Sequence, residues 1–225
     1  MSDLPTTLSV IGSVRLREGS GLLAFDVKLT SLLTGATPSQ LERWRRIGVL
    51  VPETRAKRPP LYSFRDLVAL RTLVFLRAQT SGQRLARAFS TMDMLALTEH
   101  PSRYSLGTDG DTIVVLDPDS HQTVDLVRNP GNAVHATFAD VFRSFEDFRG
   151  RPVVDFQRPS EHLQVDLRTL GGWPTVQNTR VPYDLVAQLV DNESVFPEDV
   201  TELYPNVSAA AAQDAVEFSA KVAAI

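Results

Sequence analysis

The segment Thr37-Pro38-Ser39-Gln40 constrains this chain most. Threonine ahead of proline, with glutamine three residues past the threonine, is a capping box with proline at the first helical position. It fixes a helix start at one place. Upstream, Lys28–Thr34 puts Leu29, Leu32 and Leu33 on one helical face and stops at Gly35. Downstream, the helix runs to about Arg46, with Gly48 as its stop. Ser63 and Asp66 form a second box, ahead of a largely buried helix carrying Leu67, Leu70, Leu73, Val74 and Leu76. Val51–Leu61 lies between them, too rich in proline and charge for a central strand. Phe25–Ala78 thus reads as helix, tight turn, short basic helix, basic loop, long apolar helix, the order of a winged helix-turn-helix.

At 100° per residue, Leu41 and Trp44 fall on one side of the short helix, and Ser39, Arg43 and Arg46 on the other. Guanidinium groups suit both phosphates and the guanine edge in the major groove. The candidate DNA contacts are Thr37, Ser39, Gln40, Arg43, Arg45 and Arg46 from the turn and helix. Arg55, Lys57, Arg58 and Tyr62 join them from the loop that would lie along the DNA backbone. A merely solvated helix face is the alternative.

Charge supports the first reading. Residues 1–90 hold 14 Lys and Arg against 6 Asp and Glu, whereas residues 91–225 hold 9 against 21. A basic part joined to an acidic remainder is the pattern of a nucleic-acid module attached to something else. The 225 residues contain no cysteine, which excludes disulfides, thiolate metal sites and cysteine nucleophiles and fits a reducing compartment. MSDLPTTLSVIGS lacks the features of a signal peptide, and no apolar run is long enough to cross a bilayer, so a cytoplasmic protein without membrane contact is expected.

Residues 1–24 read either as a β-hairpin around REGSG or as a loose arm. A helix of about Gly82–Leu97 follows the apolar one. RYSLG, DTIVVLD and QTVDLV, separated by turn residues, predict a small antiparallel sheet within 98–135. Asp109, Asp111, Asp117 and Asp119 cluster at its turns; carboxylates can hold Mg²⁺, but aspartate also simply serves turns. Phe138–Phe148 predicts a helix with a phenylalanine stripe, and VVDF another strand. From Val165, PTVQNTRVP reads as two short extended pieces around Gln177-Asn178. Helices are expected over Pro182–Asp191, Pro197–Tyr204 and Ala209–Val222, the last capped by Ser208. Val186, Leu189, Val200, Leu203, Val216 and Phe218 would form their core.

Two stretches carry family resemblances. TGATPSQLERWRRIGVL and LYSFRDLVALRTL resemble the MerR-type winged helix-turn-helix, over about a quarter of the chain. That resemblance implies major-groove contact by Ser39, Gln40 and Arg43, with phosphate contact from the wing. The stretch from Gly171 to about Ser219 resembles the homeodomain-like antitoxins that accompany PIN-type ribonuclease toxins, through Gly172, Pro174, Thr179, Arg180, Pro182, the PEDV helix start and Tyr204-Pro205. Asn178 stands where that family usually has glycine, and asparagine tolerates a left-handed conformation. Together the modules resemble long VapB-type antitoxins.

The expected fold class is α+β, mainly α: a winged helix-turn-helix in 1–98, a small β/α connecting region with a possible dimerisation role in 99–160, and a three-helix homeodomain-like module in 161–225. His100, His121, His135 and His162 share no ligand spacing, and phosphate loops, nucleophile elbows and zinc motifs are lacking, so neither an enzyme nor a metal or cofactor site is expected. The resemblance implies an antitoxin that neutralises a PIN-type ribonuclease and binds operator DNA to repress its own operon, as a homodimer or a larger toxin–antitoxin assembly. An arginine placed among a nuclease's metal-binding acids would satisfy them. Arg168 and Arg180 are candidates, beside Trp173 and Tyr183, although Arg180 could instead brace its own turn. The alternative is a MerR-like regulator whose C-terminal part senses a ligand or partner, without a toxin.

Overall fold

The computed structural model describes residues 24–81, 83–84, 87–88, 105–108, 113–116, 123–125, 141–191 and 193–225. The chain is mixed α/β and mainly helical, with small antiparallel sheets. The first helix, α1 (Val27–Thr34), is capped by the Asp26 carboxylate, which accepts from the Leu29 N–H at 2.8 Å. α2 (Pro38–Arg46) starts on the complete Thr37/Gln40 box, and α3 (Phe64–Gln79) on the complete Ser63/Asp66 box. Each such cap is worth about 1 kcal/mol.

Every residue of α3 from Asp66 to Val74 is buried, so this helix is enclosed all round and serves as the axis of the molecule. Its apolar positions pack on α1 on one side and reach Phe156, Leu163 and Trp173 within one continuous buried cluster. That cluster goes on through Tyr183, Val186, Val200, Val207 and Phe218, so the N- and C-terminal parts share a core. Phe25 meets Trp173 with ring centroids 5.4 Å apart, and Lys28 Nζ donates to the Ala223 carbonyl at 2.6 Å, near the end of the last helix. A cation there complements the negative end of the helix dipole.

The sheet expected in the middle is present as a meander of β1 (Ser105–Thr108), β2 (Ile113–Leu116) and β3 (Thr123–Asp125), with Ser105 opposite Leu116 and Val114 opposite Asp125. Two short ladders follow. β4 (Phe145–Glu146) pairs with β5 (Pro152–Val153), and β6 (Leu163–Gln164) with β7 (Thr175–Val176). The C-terminal helices are α4 (Tyr183–Leu189), α5 (Val200–Leu203) and α6 (Ala209–Ala223).

Several expectations need correction. Phe138–Phe148 is not one helix: Val141 and Phe142 are helical, but Phe145–Glu146 is a strand. The reason lies on α3. The Arg71 guanidinium takes the carbonyls of Val141, Phe142 and Arg143, which further helical turns would need as acceptors. Pro182 is the N-cap of α4 and not its first residue, and α4 ends at Leu189. There the Asp191 carboxylate accepts from the Ser194 hydroxyl at 2.6 Å and from the N–H groups of Val195, Glu193 and Ser194, which hold its proton affinity well below the usual carboxylate range. α5 is one turn long, and Leu203 is 62% exposed; Val207, Ala212 and Ala215 fill the core instead. Most of Gly82–Leu97, the arm before Ala24, the four aspartates at the turns of the meander, and His100, His121 and His135 lie outside the described residues. Among the described residues no helix is long and apolar enough to cross a membrane, and no group of three or more His, Asp or Glu could hold a metal ion.

Candidate functional site

The capping box that starts α2 also decides which of its side chains are free. Gln40 N–H donates to Thr37 Oγ1 at 3.2 Å, and Thr37 N–H to Gln40 Oε1 at 2.8 Å, so both side-chain oxygens are occupied. The Gln40 amide nitrogen and the Thr37 hydroxyl hydrogen remain as side-chain donors. Leu41 is 1% exposed and anchors the inner face, with Trp44 half-buried beside it. Ser39, Arg43 and Arg46 are exposed on the opposite face, as the helical spacing requires.

The three arginines of this helix are not equivalent. Arg45 grips Glu42, with Nη2 to Oε1 at 2.7 Å and Nε to Oε2 at 2.9 Å. That hydrogen bond holds the Glu42 carboxyl below its ordinary range. Arg43 and Arg46 make no ion pair among the described residues. The unpaired positive charge of α2 is therefore theirs, one helical turn apart and at the helix end where cations are favoured.

The following loop closes as a narrow hairpin, with Arg55 and Leu61 exchanging backbone hydrogen bonds at 3.1 and 2.8 Å. Its base is tied to α3 through Asp66, which is wholly buried. Asp66 Oδ2 accepts from the N–H groups of Ser63 at 2.7 Å and Glu53 at 3.0 Å. Ser63 Oγ donates to the Glu53 carboxylate at 2.8 Å. Arg55 folds back, its Nε donating to the Pro59 carbonyl at 2.8 Å, so the cations left at the exposed tip are Lys57 and Arg58. Tyr62 departs from expectation: it is 1% exposed, a core residue bridged to Phe25, and burial pushes its hydroxyl up to about 12. It offers no surface for a DNA contact.

The C-terminal candidates divide in the same way. Trp173 and Tyr183, the aromatic candidates for toxin contact, are 3% and 5% exposed. Trp173 Nε1 donates to Asp184 at 3.0 Å, and Tyr183 meets Phe218 edge-on at 4.9 Å. Both are core residues: Phe25 packs on the indole at 5.4 Å and Tyr183 stacks on it at 6.2 Å. Arg168 and Arg180 are exposed. The turn before Arg180 has Asn178 at φ 58, in the left-handed region as expected. Thr179 braces that turn, its Oγ1 donating to Val176 O at 2.8 Å and accepting from Val181 N–H at 3.0 Å. Arg180 has no hydrogen-bond partner among the described residues, which removes the turn-bracing alternative.

Sequence reasoning missed two features. One is Arg71, wholly buried, whose five contacts run to carbonyls of Leu33, Val141, Phe142, Arg143 and Val154 at 2.6–3.2 Å. The signal available was a single arginine in the middle of an apolar helix. The other is a half-open cleft of about 450 Å³ where α3, the 142–158 segment and the β6–β7 region meet. Its floor is Phe64, Phe142 and Phe156, and Arg158 and Arg168 stand on its rim.

The comparisons with known proteins reach only part of the chain. A family model described as a protein of unknown function (DUF433) matches residues 163–219, from β6 into α6. No curated protein and no solved structure matches the chain.

Proposed function

We propose that the chain is a DNA-binding antitoxin. Its N-terminal part acts as a winged helix-turn-helix with α2 in the major groove. Its C-terminal part, a homeodomain-like module, neutralises a PIN-type ribonuclease partner. The observation that carries the DNA half is the pair Arg43 and Arg46, unpaired and exposed on the face of α2 opposite Leu41. The hairpin tip adds Lys57 and Arg58, whose charges suit phosphates. Thr37 and Gln40 keep only donors for DNA, because their side-chain oxygens accept within the capping box, and Arg45 is engaged by Glu42. A homodimer would place two such helices about one DNA turn apart on a palindromic operator.

The test is binding of the full chain to DNA from its own promoter, read by fluorescence anisotropy across salt. Arg43→Ala with Arg46→Ala should weaken binding by about 10- to 100-fold and lower the log–log salt slope by about 2. Circular dichroism should not change, because both side chains are exposed and make no ion pair among the described residues. An unchanged slope would remove α2 from the interface.

For the toxin half, the support is the motif pattern over 172–205 and the unpartnered Arg180. A tagged chain recovered from its native host should bring down a ribonuclease that is silent in the complex and active once separated. Arg180→Glu should weaken that complex at least about tenfold, because it sets like charges against each other, while promoter binding stays intact. Promoter binding with no such ribonuclease leaves the regulator reading in its place.

A further inference from the structure

We propose that the cleft floored by Phe64, Phe142 and Phe156 is a binding site for a small aromatic carboxylate, with the ring on the phenylalanine floor and the carboxylate at Arg158. A volume of about 450 Å³ lies within the range of small-molecule sites. The floor is suited to a planar apolar group. Phe156 is 1% exposed and stacks on Phe142 at 5.2 Å with 24° between the rings, and Phe64 lies 5.6 Å from it. Phe64 stays half-buried at the cleft wall, so its ring surface is open to a ligand, where stacking and edge contacts add to burial.

The rim sets the sign of the ligand's charge. Arg158 is exposed and makes no ion pair among the described residues. Arg168 is held only at 3.4 Å by Asp166, the one acid lining the cleft, so a carboxylate is steered to the Arg158 side. Gln164 Oε1 already accepts from the Asn178 N–H, which leaves the Gln164 amide nitrogen as a donor toward the cleft. Gln177 uses one N–H of its amide on the Glu161 carbonyl at 2.6 Å and keeps the other. The Arg158 guanidinium and the side-chain amides of the lining, Gln164 among them, thus stand beside an aromatic floor, which suits a carboxylate on a ring and repels a cation. The site stands on the cleft alone and is independent of whether the chain binds DNA or a ribonuclease.

The test is calorimetric titration of the full chain with 1-naphthoate and with its neutral counterpart 1-naphthamide. Naphthoate should bind at one site with Kd on the order of 0.1 mM, and naphthamide at least about tenfold more weakly. Arg158→Gln should bring naphthoate down to the naphthamide level, Arg158→Lys should keep part of the difference, and Gln164→Glu should weaken naphthoate further than naphthamide. The absence of saturable heat up to about 5 mM, equal affinity for the two probes, or an unchanged Kd in Arg158→Gln would overturn the proposal.

Discussion

Replacing Arg71 with methionine will cost about 3–5 kcal/mol of folding stability. The stem of the side chain stays, so packing is nearly conserved, but the carbonyls of Leu33, Val141, Arg143 and Val154 lose their donor, while Phe142 O keeps the Phe156 N–H at 2.7 Å. Leu33 O is among the last carbonyls of α1, which no later helical N–H can reach. Burial drags the Arg71 proton affinity down, to about 10, against the opposing field of Asp155, so the group is still charged near neutral pH. Among the described residues no carboxylate touches it; carbonyl dipoles and the rings of Phe145 and Phe156, 5.1 and 5.5 Å away, carry the compensation. Arg71→Lys supplies three donors where five acceptors wait and should recover less than half of the loss. Urea denaturation reads both variants, and the melting midpoint of Arg71→Met should fall by roughly 10 °C. A loss under about 1 kcal/mol would mean that water replaces the guanidinium without penalty.

Gly172→Ala carries the second large effect. An added methyl would sit 2.1 Å from Phe64 Cδ2 and 2.4 Å from Cε2, at a backbone φ of +86° that side chains rarely adopt. The ring cannot simply swing away, because it packs on Phe156. Backbone strain and overpacking together should cost about 2–4 kcal/mol. Gly48→Ala is the control: φ is +78° there too, but nothing lies within 4 Å, so only the backbone part, about 1 kcal/mol, should appear. In a double-mutant cycle, Phe64→Ala should relieve most of the Gly172→Ala penalty, with coupling of about 1–2 kcal/mol. Strict additivity would show that the clash relaxes elsewhere.

What could be read in the sequence was local. The boxes at Thr37 and Ser63 need only residues within one helical turn, and both helices start where those residues say. Asn178 needed only its own tolerance of positive φ. The faces of α2 followed from helical geometry, down to which arginines point outward. What escaped was decided by distant partners. Arg71 meets Val141, 70 residues away, and thereby ends the helix that the phenylalanine pattern of 138–148 favours. Trp173 is hidden by Phe25, and Tyr62 by its pairing with that same residue. The cleft is assembled from three stretches, none of which carries a motif for it.

The shared core also bears on what can be inherited as a unit. The 163–219 segment is bounded by sequence similarity, yet its tryptophan is roofed by Phe25 and its Gly172 leaves room only for Phe64. Cut free, it would present an indole and a glycine-lined hollow to water. Any other chain that carries this segment without the preceding helices must therefore bring its own roof, from a second copy, a different neighbour, or a smaller residue in place of the indole. The segment has a missing wall that, in this chain, Phe25 and Phe64 supply.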